Sequence, residues 1–234
     1  MPIGRMIFQI WNWAENPKTF NRVKKLENSL SCFLLNVVLK PNQVKYKKSN
    51  FYVFKEDDVW DTMNYNDDSW PKSYFVFYSA TPETTEYAEG LTIMTYMSIE
   101  EVTQWKNTYN TVLSPHDRGD DYAVYKKEKS EKLIARASKY IDGLEEGILS
   151  YYAATPLTFR DYMGTEDGAI YGIAKDYKNP MKTFISPRTK VENLYLTGQN
   201  IKLHGILGVA ISSLVTLSTI LDLEYVIGKI EKEQ

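Results

Sequence analysis

Residues 30–39 form an apolar run that Pro41 stops, and residues 51–54 read Phe-Tyr-Val-Phe; both patterns predict strands. Residues 74–78, Tyr-Phe-Val-Phe-Tyr, contain no polar break, so the strand they predict has both faces covered. Residues 91–97 set Leu91, Ile93, Thr95 and Met97 against Thr92, Met94 and Tyr96, a further strand, and residues 149–154 make another, closed by Thr155-Pro156. Helices are predicted where the period lengthens. Residues 17–26 follow Asn16 as a cap, with Pro17 at the first helical position. Glu56, Asp57 and Asp58 open a short helix through Met63, because negative charge suits a helix start, and residues 64–68 are a polar loop. Ser98 and Glu101 have capping-box spacing and open a helix through Trp105. The clearest helix covers residues 121–147: Leu133, Ile134, Ala137, Tyr140, Ile141, Leu144 and Ile148 recur at three- and four-residue steps. The charged run from Lys126 to Lys132 reads as its solvated face. Residues 158–187 read as a turn-rich loop. Residues 193–197 predict a short buried strand ending at Gly198, and a long apolar helix begins near Gly205.

The fold class is therefore α+β: an antiparallel-rich mixed sheet with helices, then a C-terminal strand, glycine turn and helix. Regular βαβ alternation is missing, and the natural boundary lies within residues 155–172. Hydrophobic residues at 43% and charged residues at 25% describe a globular chain and exclude a disordered one. The 28 basic and 30 acidic residues leave no basic surplus, which argues against a nucleic-acid partner. Aromatic residues reach 14%, a surplus that suits either a large apolar pocket or a tyrosine-rich sheet. A single cysteine and two distant histidines, His116 and His204, give no disulfide and no zinc site, and Cys32 reads as a buried small hydrophobe. Residues 1–13 lack the apolar core of a signal peptide and no Asn-x-Ser/Thr acceptor occurs, so the expectation is a cytoplasmic protein. Residues 203–221 imitate a membrane span, since they hold no charge apart from His204. Their hydroxyl residues, their two glycines and the lack of a flanking basic cluster favour a helix buried in a soluble core.

Chemistry concentrates in residues 193–209. Gly198, without a Cβ, lets another group approach the backbone. Gln199 and Asn200 offer neutral amide donors and acceptors. Gly205 and Gly208 open a helix whose free N–H groups suit an anion or a polarised carbonyl. The same residues also read as nothing more than a tight turn entering a core helix. His116, in Ser-Pro-His-Asp-Arg-Gly, has no nucleophile motif beside it and is assigned no catalysis.

The stretch Asn-Leu-Tyr-Leu-Thr-Gly-Gln followed by His-Gly-Ile-Leu-Gly-Val resembles the C-terminal flavin-contacting segment of one family of FAD-dependent oxidoreductases: the phytoene desaturases, carotenoid isomerases and all-trans-retinol 13,14-reductases. Thr155 to Tyr162 with Gly164 and Gly168, and Ser186-Pro187-Arg188-Thr189, look like further landmarks, and the resemblance spans residues 18–221. It implies a substrate-binding domain over residues 1–163 and the C-terminal part of a Rossmann-like FAD-binding domain over residues 164–234. It implies FAD as cofactor, bound weakly or not at all by this chain alone because the dinucleotide fingerprint is missing, with Gly198, Gln199 and Asn200 near the ribityl and phosphate end. Gly205, Ile206, Leu207, Gly208 and Val209 would lie under the pyrimidine edge of the ring. His204 would stand at the entrance of that helix, as a proton-transfer group or as a structural histidine. Tyr151, Tyr152 and the strands at 74–78 and 91–97 become candidates for an apolar tunnel wall or plain core.

Two departures stand out. No two of the 12 glycines are separated by a single residue, so the Gly-x-Gly-x-x-Gly fingerprint is absent. Gln199 and Asn200 are neutral where the family often carries an acidic residue. The expectation is thus a fragment of a flavin-dependent desaturase, saturase or isomerase for a polyene, isoprenoid or other long apolar substrate, inactive alone. A non-catalytic apolar-ligand or protein-interaction module is the alternative. Expected partners are the apolar small molecule, a chain supplying the N-terminal FAD-binding half, and a second copy, through exposed apolar surface around Leu194, Leu196 and residues 205–221. Peripheral membrane contact is compatible with this reading; a metal is not expected.

Overall fold

A computed structural model describes residues 17–55, 57–79, 83 and 86–232, without the side chains of residues 17–20. The cap assigned to Asn16 and the first residue of the helix predicted at Glu56 lie outside the described residues. The chain divides into two compact units, Leu30–Tyr162 and Met163–Gln234, the latter joined by the residues before Leu30. Helix α1 (Pro17–Lys24) therefore belongs with the C-terminal unit.

In the Leu30–Tyr162 unit, β1 (Cys32–Leu39), β2 (Phe51–Phe54), β3 (Ser73–Ser79), β4 (Gly90–Tyr96) and β5 (Ile148–Ala154) form one antiparallel sheet ordered β2-β3-β4-β1-β5. Register follows the side-chain period of two. Leu35 faces Ile93, Val37 faces Leu91 and Val76 faces Ile93, and all of these enter one core. The long helix α2 (Asp120–Ala137) adds Leu133, Ile134 and Ala137 to the same core. The predicted cover on both faces of β3 holds from Ser73 to Val76. Phe75, on the far face, is only 6% exposed because the rings of Tyr52, Phe54 and Tyr96 surround it at 5.3–6.0 Å. The aromatic surplus is thus spent partly on cross-strand ring pairs.

Several sequence expectations need correcting. The helix predicted over residues 121–147 is two: α2 ends at Ala137 and a short α3 (Leu144–Gly147) follows. Gly143, at φ 72°, makes the intervening turn, and a Cβ there would lie 3.2 Å from the Gln43 carbonyl. Ile141 and Leu144 still reach the core, but Tyr140 is more than half exposed. The helix predicted from Glu56 shrinks to a 3-10 turn, Asp61–Met63. There Asp58 accepts the Trp60 N–H at 2.9 Å, a local bond that competes with helix, and the Trp60 side chain stays exposed. The Ser98 box forms by half. Its hydroxyl accepts from Glu100 N at 3.2 Å, but the 3-10 segment Ile99–Trp105 kinks at Val102, and the Ser98 N–H goes to Tyr65. Glu101 instead takes the Tyr125 hydroxyl and pairs with Lys129 at 2.7 Å.

The predicted loop from residue 158 begins inside α4 (Pro156–Met163). Thr155 accepts from Leu157 N while its own N–H meets Thr158 Oγ1, both at 3.2 Å, and Pro156 costs the first turn no hydrogen bond. The strand predicted at 193–197 is not formed. Leu194, Tyr195 and Leu196 are half-buried and one bridge, Arg188 to Tyr195, is all the strand pairing they make among the described residues. Leu196 N reaches the Pro187 carbonyl at 2.8 Å, but Pro187 has no N–H to extend a ladder.

In the C-terminal unit, buried apolar residues are few among those described: Ala169, Ile185, Ile201 and Val226. Backbone bonds join Ser29 to Gly172 at 2.7 Å and Ala174 to Glu27 at 3.0 Å, and Arg22 donates to the carbonyls of Lys182 and Phe184. Helix α5 (Gly205–Leu221) starts where the sequence places it, and α6 (Leu223–Lys232) follows after Asp222 at φ 69°. Helix α5 is not buried in a core of this chain, and its exposed apolar face agrees with the surface expected over residues 205–221. Gly208, Ser212 and Thr216 are its buried residues, while Ile206 is 94% and Leu207 73% exposed. No described helix is long and apolar enough to cross a membrane.

Cys32 is fully buried, and burial pushes its thiol from 9.0 to about 12. Burial likewise lifts the Tyr74 hydroxyl to about 12 and raises Tyr65 and Tyr125. Raised folded-state values mean that this contribution to stability is complete below pH 9 and is lost as the pH climbs toward 12. Thermal unfolding followed by circular dichroism should show the midpoint falling across that window, and native Cys32 should resist a thiol dye that labels the unfolded chain.

Candidate functional site

The loop from Gly198 to His204 is folded back on the start of α5, and three residue types make that possible. Gly198 sits at φ 98° and Gly205 at φ 77°, both left-handed backbone. Ser212 Oγ accepts from Gly198 N at 3.0 Å and donates to Gly198 O at 2.9 Å, pinning the turn. Thr216 Oγ1, one turn on, donates to Leu196 O at 2.9 Å. Gly208 supplies the close approach: a Cβ there would fall 2.7 Å from the Leu203 carbonyl carbon and oxygen. His204 caps α5 in extended backbone without a side-chain cap bond, which leaves the first helical N–H groups uncapped by it.

Facing this loop, Gly172 at φ 73° lies so close to Asn200 that a Cβ would overlap the amide oxygen. That oxygen accepts from Ile173 N at 2.9 Å. Lys175 donates to the Asn200 carbonyl at 2.7 Å, and burial, aided by Lys202, holds its ammonium below the usual lysine range. The rings of Tyr171 and His204 lie against each other, centroids 4.5 Å apart and planes tilted by 40°. Beside them opens a cleft of about 710 Å³, lined by Ile170, Tyr171, Gln199 and, from α5, Gly205, Ile206, Val209, Ala210 and Ser213. Its size is that of a small-molecule site.

The structure brings Gln199, Gly205, Ile206 and Val209 together on this wall. Gly198 shapes the turn, and no atom lies within 4 Å of where its Cβ would stand. Asn200 is engaged as a clamp on Gly172 and Ile173. His204 packs on Tyr171. Leu207 is turned to solvent, and Gly208 is buried against the loop. Sequence reasoning missed Ile170, Tyr171, Ala210 and Ser213, and it missed Ser212. The signal for Ser212 was its four-residue spacing between Gly208 and Thr216. Tyr74, Val76, Leu91, Ile93 and Met97, read as tunnel wall or plain core, are packed in the core, and Tyr151, which packs against that core, lines a separate cleft with Tyr152. His116 and Asp117 are no dyad: Asp117 accepts the Gly119 N–H at 2.9 Å. Among the described residues no His, Cys, Asp and Glu cluster is fit to hold a metal.

Chemically, the wall is apolar with one neutral amide, Gln199, at its edge. The start of α5 adds N–H donors and the positive end of the helix dipole, which favour partial negative charge nearby.

No family model matches the sequence. The chain is similar to all-trans-retinol 13,14-reductases. It is 24% identical to that of Danio rerio over 191 residues, 75% of this chain and 31% of the relative. For Macaca fascicularis the identity is 28% over 184 residues, 74% of this chain and 30% of the relative. For Homo sapiens it is 30% over 154 residues, 64% of this chain and 25% of the relative. These matches support a relationship to that group, and the chain spans less than a third of the length of these relatives.

Proposed function

We propose that this chain is the C-terminal portion of a flavin-dependent oxidoreductase for a long apolar polyene, and that the cleft beside α5 receives the flavin ring. One observation carries the reading: Gln199, Gly205, Ile206 and Val209, drawn from the motif that resembles a flavin-contacting segment, line one cleft with Tyr171. The residues fit such a group. Gly198 and Gly205 have open space where other residues would carry a Cβ, which suits a planar ring close to the backbone. When bound, the flavin supplies the hydride chemistry. The chain's own part is to bind and orient. Ile206, Val209 and Ala210 offer apolar contact and exclude water. Gln199 donates to and accepts from polar edge atoms. The α5 N-terminus stabilises negative charge at the ring edge.

In this reading the Leu30–Tyr162 unit belongs to the substrate-binding domain and the C-terminal unit to an FAD-binding domain of Rossmann type. Neither unit carries the adenosine-binding fingerprint, which would come from a separate N-terminal FAD-binding part. The face of α5 outside the cleft, with Leu207, Leu217, Ile220 and Leu221 exposed, is the surface that part would cover, and the chain by itself would self-associate through it.

Flavin mononucleotide tests the reading, because it carries ring and ribityl phosphate without the missing adenosine contacts. Titrating it with the purified chain should give a saturable shift of the flavin absorbance bands, at an affinity on the order of 0.1 mM, typical of a site lacking most of its clamp. A flavin spectrum unchanged at protein concentrations several times higher overturns the assignment of the cleft.

A further inference from the structure

A second cleft, of about 440 Å³, lies in the Leu30–Tyr162 unit, between the loop before α2, the first turns of α2 and β5. Its floor is cationic for reasons that can be traced residue by residue. Arg118, with only 4% of its side chain exposed, donates to Thr108 Oγ1 at 2.7 Å and pairs with Asp161 beneath. Arg160 shares the same carboxylate at 2.7 Å, so one anion answers two guanidinium groups. Lys126 stands on the next turn of α2. Its ammonium lies 5.6 Å from the centre of the Tyr122 ring, whose centre is 5.3 Å from the Arg118 guanidinium. Among the described residues no carboxylate pairs with Lys126, whereas its neighbour Lys127 faces Glu131 at 3.8 Å and Lys129 is answered by Asp67 and Glu101.

A half-buried ammonium beside a guanidinium has given up water without gaining an anion, and both effects hold Lys126 below the usual lysine range. The lining carries one carboxylate, Asp117, already accepting from Gly119 N. Lys127, paired with Glu131, and the polar Asn110 and Ser130 also reach the lining, and the aromatic part of the wall is Tyr122, Tyr151 and Tyr152, the last 68% exposed. A cationic floor under an aromatic wall is the complement of a molecule with an anionic head and an apolar body.

We propose that this cleft binds the oxyanion head, carboxylate or phosphate, of a free amphiphile, with Lys126 and Arg118 taking the charge and Tyr151 and Tyr152 the apolar body. The site uses no residue of the α5 cleft and stands or falls independently of the flavin reading.

Calorimetric titration of the whole chain with octyl phosphate, octanoate, inorganic phosphate and octanol tests it. Saturable binding is expected for the first two, with inorganic phosphate and octanol each about tenfold weaker or worse. Lys126→Met keeps the stem on Tyr122 and removes the charge; it should weaken octyl phosphate about tenfold without lowering the melting temperature. Lys139→Met, an exposed lysine beyond the end of α2 and outside the cleft lining, should change it less than about twofold. Equal losses from both lysine variants overturn the site in favour of a diffuse positive surface. So does a Lys126→Met chain that melts earlier yet binds normally, or sedimentation with phosphatidic-acid vesicles in the absence of binding to the free amphiphiles.

Discussion

Replacing Asp161 by alanine should cost the Leu30–Tyr162 unit about 3–5 kcal/mol, because it removes the single anion from a buried cluster of cations. Asp161 is fully buried. One carboxylate oxygen receives Arg160 Nε at 2.8 Å; the other receives Arg118 and the Asn110 N–H at 2.8 Å. Its backbone carbonyl accepts from the Tyr109 hydroxyl at 2.8 Å. Alanine leaves Arg118 buried beside Thr108 with no counter-charge, and the loop carrying Asn110 loses a tie to α4. Against a total stability of about 5–15 kcal/mol for a domain, that is a large fraction. Asp161→Asn keeps an oxygen for Asn110 N and should cost less. Chemical denaturation monitored by tryptophan fluorescence reads both, and a loss under about 1 kcal/mol for Asp161→Ala would mean that the cluster is hydrated and contributes little.

Gly208→Asp should dismantle the α5 cleft. Any Cβ at this position meets the carbonyl of Leu203 at 2.7 Å, so the loop must leave the helix or the helix must shift. Overpacking of this kind costs about 1–3 kcal/mol. The carboxylate would also be forced in beside a carbonyl oxygen, a buried charge without a donor. A negative charge near a helix start gains only about 0.3–1 kcal/mol, too little to compensate. The Gly198 amide, held by Ser212, should then exchange with solvent far faster, and the flavin mononucleotide response should vanish. Gly198→Ala separates the causes. Its Cβ meets open space, so the cost is left-handed strain alone, about 1–2 kcal/mol, and the cleft should survive. A Gly208→Asp protein that melts like its parent with the Gly198 amide still protected would refute the close packing.

The strands of the sheet were legible because each carries its own period: β1 alternates into the core, and β3 lies between two partners. The break after α2 was not. Leu133 through Leu144 keep helical spacing because the turn at Gly143 returns the apolar side chains to the same core by another route. The charged run on α2 misled for a related reason. Lys129 looks solvated by type, yet it is 7% exposed, 4.6 Å from the Trp70 ring centre, with Glu101 and Asp67 closing on its ammonium. No local pattern announces partners so distant in sequence. Within the candidate site, the glycine turn and the α5 start were visible as a motif. Tyr171, some thirty residues earlier, was not, since loop residues meet only through tertiary folding.

Helix α5 turns the ordinary rule of substitution tolerance around. On most helices the apolar positions are the constrained ones and the hydroxyl positions drift. Here Ser212 and Thr216 hold the preceding loop by their oxygens, so a change as mild as serine to alanine strikes at the turn, while Leu207 can become charged without disturbing the packing of this unit. A hydropathy profile of residues 205–221 therefore ranks their importance to this chain backwards, and variation tolerated at its leucines and isoleucines measures only what some other surface demands of them.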